Sequence, residues 1–213
     1  MSLSTSPSTT QLTTIRTALP SAALVMALAI SAVALTDAMI RGFHQGRSPI
    51  DEQQGIGWVN VTVTVVHAVG YAVLAGLLAS QGDMVDAGSR VRRWIRRLLV
   101  VALAVLVALY GVISFVVDME EQSPAMTVAG AVGGTAFAAM FVLSCALGIS
   151  LLTRRELRPA SWLLSAQLPL LALTLLLAAT ASPFAHPAYL EVASALGLAL
   201  LGWPSRRPTA PTE

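Results

Sequence analysis

Lysine is missing altogether from this chain of 213 residues, and all 13 of its basic residues are arginine. There is one cysteine, Cys145, set inside an apolar run. An internal disulfide and a cysteine cluster for zinc are therefore excluded, and the redox compartment cannot be read from it. Charge of either sign is scarce, at 11% of residues, where a soluble globular domain carries roughly 25%. That leaves too little polar surface to face water. The sequence also lacks a Gly-x-Ser-x-Gly elbow, a phosphate-cradling glycine loop and a His-Glu-x-x-His pair, so acyl transfer, phosphoryl transfer and zinc hydrolysis lack their parts. No spaced pair of histidines shares one helix, and no metal or cofactor is expected.

What the chain has instead is apolar length: 55% of residues are hydrophobic and the mean hydropathy is +0.73. The apolar residues gather into runs at Ala18–Ile40, Trp58–Ser80, Leu98–Val117, Ala125–Leu152, Ala160–Ser182 and Ala188–Trp203. At 1.5 Å rise per residue, a helix of about 20 residues crosses a hydrocarbon core of roughly 30 Å. The expectation is an all-α fold, a polytopic bundle of about six transmembrane helices over 18–203. It is flanked by a disordered tail at 1–17, rich in Ser and Thr, and a second tail at 204–213. Pro183 and Pro187 separate the last two runs, and residues 183–187 could join two spans or form a re-entrant turn.

Orientation follows from the arginines. With the N-terminus inside, all of them but Arg41 and Arg47 fall in inner segments. Both termini are then cytoplasmic, in a bacterial inner membrane, since arginine without lysine beside abundant Ala, Val, Leu and Gly fits a GC-rich genome. Arg90, Arg92, Arg93, Arg96 and Arg97 read as a topology anchor that meets anionic lipid, not as a nucleic-acid patch. Gly130, Gly134 and Ala138, at four-residue spacing, allow close helix approach, either inside the bundle or against a second copy in a homo-oligomer.

Polar residues inside apolar runs are expensive and mark function or helix-to-helix glue. Asp37, His67, Asp118 and Glu191 stand out, and with this topology the three carboxylates lie in the outer half of the membrane. Asn60, Thr64, His67 and Tyr71 share one helix face, and Tyr110, Ser114 and Asp118 form a similar stripe. Together they are expected to line an outward-opening polar pocket. A carboxylic acid beside apolar walls holds its proton near neutral pH and can deliver it. Asp37, Glu191 and Asp118 are the candidate acids. Asn60, His67, Tyr71 and Tyr110 are the candidate substrate-binding residues, with the tyrosine rings suited to face a cation.

Isolated carboxylates in a chain of this size that is nearly all membrane helix resemble the small integral-membrane terpene cyclases of microbial natural-product pathways. Asp118-x-Glu120-Glu121 is similar in spacing to the Asp-x-Asp-Asp acid motif of soluble protonating cyclases, with different acidic residue types. The resemblance implies metal-free protonation of an alkene or epoxide on a prenylated, lipophilic substrate. The chain also loosely resembles six-helix bacterial membrane families of no assigned activity. Three classes stay open: an acid-catalysing cyclase or isomerase, a protein that binds, exports or confers resistance to a hydrophobic molecule, and a structural membrane subunit.

Overall fold

The computed structural model describes residues 9–44, 48–50, 57–113 and 123–204, and these contain helices and no strand. Five helical stretches are long and apolar enough to cross a membrane, and Ala188–Leu200 is a shorter apolar helix. The chain is built as a multi-pass membrane protein.

Helix α1 (Thr9–Phe43) runs through Pro20 and extends back into the expected N-terminal tail. Nothing between Thr9 and Pro20 breaks a helix, and each added residue gains one backbone bond. Helix α2 (Gly57–Ser80) is followed by the single turn α3 (Gly82–Asp86) and by α4 (Arg90–Ala108). Ala87 and Gly88 make the sharp bend between α3 and α4 with φ of 41° and 81°. Ser89 caps α4 by accepting the Arg92 N–H at 3.4 Å. This span therefore begins at Arg90, not Leu98, because arginine is a good helix former and the cap lies ahead of the charged turns. The helix closes in a π-helical stretch, Leu109–Ile113.

Helix α5 (Pro124–Leu151) starts with Ser123 accepting the Met126 N–H and Pro124 in the first turn. The next span is two helices, α6 (Arg158–Ser165) and α7 (Gln167–Ala179), broken at Ala166. Pro169 explains the break, since it offers no N–H and its ring collides with the Ser165 carbonyl. α7 ends where Ala181 turns left-handed, with φ 51°, and Ser182 N–H bonds the Leu177 carbonyl at 2.9 Å. The last helix is α8 (Ala188–Leu200).

Around the bundle, α1 packs on α2, α2 on α4, α4 on α5, α5 on α6, and α6 on α8, which closes the ring against α1. α8 also touches α2 and α5, and its buried residues include Leu190, Glu191, Ser194, Gly197 and Leu198. Small residues let its neighbours approach: a side chain at Gly197 would collide with Leu164, and one at Gly148 of α5 would strike Leu164 and the Ser165 backbone. Leu164 of α6 is thus wedged between two glycines. At 13 residues, α8 is only about 20 Å long, short of a bilayer core. A helix too short to span is thus packed into the core of the bundle.

α7 is its opposite. Beyond Gln167 none of its residues is buried, and neither is any residue of α5 from Pro124 to Thr135. A side chain added at Gly130 or Gly134 would meet nothing, and Ala138 is exposed. Among the described residues no other helix covers that row.

The arginine-rich end is fastened by Asp86. Arg96 donates to both its oxygens, at 2.9 and 3.0 Å, and Arg93 lies at 3.5 Å. Arg96 also reaches the Leu78 carbonyl at 3.4 Å, which ties α2, α3 and α4 together. Two of the five arginines are therefore occupied with an internal partner. Trp94, Trp162 and Trp203 are exposed near this end and Trp58 at the other, where amphipathic rings favour the membrane–water boundary. Arg158 stacks over Trp162 at 5.4 Å.

Candidate functional site

The stripe on α2 faces inward: Thr64, His67 and Tyr71 are buried, and Asn60 is half-buried two turns before His67. The partner they meet is Glu191 in the first turn of α8, itself 6% exposed. Tyr71 donates its hydroxyl hydrogen to Glu191 Oε1. His67 Nε2 lies 3.3 Å from the same oxygen, and its Nδ1 lies 2.8 Å from the Val63 carbonyl.

The backbone contact fixes the orientation of the imidazole. A carbonyl only accepts, so His67 Nδ1 carries a hydrogen, and Nε2 is left facing the Glu191 carboxyl.

Tyr110 completes the group from the π-helical stretch that ends α4, a local form often found at functional sites. Its ring stacks on His67 at 5.2 Å with an interplanar angle of 22°, and lies 6.0 Å from Tyr71. Four expected residues (His67, Tyr71, Tyr110 and Glu191) therefore come together from three helices. They sit level with the middle of α2, deeper than an acid early in its own helix would suggest. The reason is that α8 starts inside the bundle, with Ala188 packed against Ala34 and Ala38 of α1.

Asp37 belongs to a different group. Arg41 binds it through Nε at 3.1 and 3.0 Å, and His186 Nε2 lies at 3.4 Å. His186 Nδ1 accepts the Ala188 N–H at 3.2 Å and so caps α8. Burial pushes His186 below the usual imidazole range, and Arg41 acts in the same direction against Asp37 and Glu191. Asp37 is thus paired with a permanent cation, not isolated as expected. Asp118, with Ser114, Glu120 and Glu121, lies outside the described residues.

Two residues not anticipated from the sequence continue the polar track along α8. Gln167, 2% exposed at the start of α7, donates through Nε2 to the Leu190 carbonyl at 3.1 Å and to Ser194 Oγ. Its signal was a polar residue two places before a proline inside an apolar run. Among the described residues no group of three His, Cys, Asp or Glu is placed to hold a metal ion.

No protein-family model, curated protein or solved structure matches this chain.

Proposed function

We propose that the protein is an acid catalyst within the membrane, which cyclises or isomerises a lipophilic, prenylated substrate without a metal. Glu191 is its proton donor. The observation that carries this reading is the contact of a buried carboxyl, Glu191, with the Tyr71 hydroxyl and with His67 Nε2, deep in an apolar bundle and with no guanidinium paired to it among the described residues. Glu191 passes its proton to an alkene carbon, and the resulting cation closes onto a second double bond. The proton then lost from carbon returns to the Glu191–His67 pair, so substrate and product are isomers and no oxidant is needed. The rings of Tyr71 and Tyr110 are suited to face the cation. Asp37, held by Arg41, is assigned a structural role. The membrane setting proposed with it is six spans in a bacterial inner membrane with both termini cytoplasmic, which the arginine distribution supports. The uncovered row of Gly130, Gly134 and Ala138 suits contact with a second copy.

The test is incorporation of solvent hydrogen. Membranes containing the protein, given a prenylated phenol in D2O, should form a cyclised product with deuterium on carbon. The Glu191→Gln variant, equally abundant, should form none. Equal labelled product from the variant removes Glu191 as the acid.

A second reading, binding or export of a hydrophobic molecule, is favoured by one feature. α8 is a short helix that begins inside the bundle after an irregular segment, and transporters place their sites at such interrupted helices. Binding without any deuterium incorporation would select it.

A further inference from the structure

Two buried polar atoms near the centre of the bundle lack a partner among the described residues: Gln167 Oε1 and Ser144 Oγ. Gln167 is 2% exposed and Ser144 is fully buried. An unsatisfied buried group of this kind costs about 1–3 kcal/mol, and native interiors hold few of them.

The two lie at one level of the bundle, on helices that pack together. Gly148 of α5 lies against Leu164 and the Ser165 backbone. Toward the α7 end, the neighbouring Cys145 thiol reaches the backbone of Leu168. Ser144 is therefore level with Gln167 and Leu168, at the break that Pro169 imposes. A third hydroxyl without a partner, Ser165 Oγ, lies in the same break. Beyond this level α7 has no buried residue past Gln167, while α5 keeps Met140 and Ala136 in the core and is uncovered only from Pro124 to Thr135. The orphaned atoms thus sit at the level where α7 leaves the packed core and lies open to lipid.

Their chemistry selects the guest. The Gln167 amide nitrogen is already used on Leu190 and Ser194, so the side chain offers only an acceptor. Ser144 can donate. A hydroxyl group donates once and accepts once, and so satisfies both, whereas an ether or ester oxygen leaves Gln167 unmet. We infer that Gln167 and Ser144 form a binding site for the hydroxyl group of a lipophilic alcohol or phenol that enters from the bilayer between α5 and α7. Gln167 also holds the carbonyl of Leu190, the residue before Glu191. The site therefore deepens the catalytic reading by naming the substrate's polar end, and it rests on that reading only for the role of the bound molecule.

Photolabelling tests it with the full-length protein in membranes, using a long-chain primary alcohol that carries a diazirine, and the methyl ether of the same compound. The alcohol should label peptides of α5 and α7 at least about tenfold more than the ether, since the ether forfeits the donated bond to a buried acceptor. Ser144→Ala breaks no internal bond and should cut labelling by the alcohol several-fold at unchanged abundance. Gln167→Met should cut it further. Glu191→Gln should bind the alcohol normally, so loss of turnover with retained labelling separates the two claims. Equal labelling by alcohol and ether, or full labelling of Ser144→Ala, overturns the hydroxyl site and means that water alone satisfies these atoms. That result would leave the role of Glu191 untouched.

Discussion

Asp86 and Glu191 are equally buried, at 6% exposure, and each faces two polar partners, yet those partners differ in kind. Asp86 faces two guanidiniums, which keep their charge at any pH the protein meets. The hydrogen bonds from Arg96 hold its carboxyl below the usual range, outweighing the burial that opposes them. Glu191 faces a phenol and an imidazole, neither of which carries permanent charge. The first carboxylate is locked as an anion and works as a fastener between α2, α3 and α4. The second has no permanent cation paired to it among the described residues. Burial alone does not tell the two carboxyls apart; the charge of their partners does.

The largest expected effect separates the two directly. Glu191→Gln should lower turnover by about 10²–10⁴-fold, the usual contribution of a general acid, with thermal stability in detergent little changed. Asp86→Asn should do the reverse, destabilising the bundle by about 2 kcal/mol through weakened bonds to a charged group at unchanged turnover per folded molecule. If Asp86→Asn abolishes turnover in folded protein, the division fails.

The pH dependence sharpens the same contrast. Asp86 has a depressed folded pKa, so its contribution is fully present above the unfolded carboxylate pKa of about 4. It is lost as pH falls from there through the lower folded value. Melting curves of the wild type should decline across that acid window, and Asp86→Asn should lack this component of the decline.

Tyr71→Phe deletes one donor to Glu191 and leaves His67 in place. Turnover should fall about tenfold, the equivalent of one hydrogen bond, and an unchanged rate would mean that the phenol does not orient the acid. Asp37→Asn should be the mildest. Its partner Arg41 is four residues away on the same helix and part-exposed, and such pairs are worth less than about 1 kcal/mol. A loss of turnover as large as that of Glu191→Gln would place Asp37 in the catalytic group after all.

The helices were legible because a hydrocarbon span needs sustained apolar length, which hydropathy reports. The inward face of α2 was legible too, since Thr64, His67 and Tyr71 repeat at helical spacing. The start of α4 was not, because arginines read as loop although they extend a helix well. Nor was the central place of α8, where Ala, Gly and Ser pack closely at only modest hydropathy. The pairing of Tyr71 with Glu191 joins residues 120 positions apart, and neither neighbourhood in the sequence points to the other. The level of Glu191 was not legible for a related reason. Glu191 is early in its helix, but that helix starts inside the bundle.

The placement of α8 also governs how the protein can be made. The helix that the others surround follows them in the chain, so the ribosome must deliver the wall before the centre. At about 5–20 residues per second, the stretch from the end of α7 to the end of α8 takes roughly one to four seconds to synthesise. Through that interval Tyr71 and His67 stand in a nascent bundle without the carboxylate that satisfies them. Insertion of α1 to α7 must therefore stay loose enough to admit a last helix between them. Gly197 closes on Leu164 only once that helix has arrived.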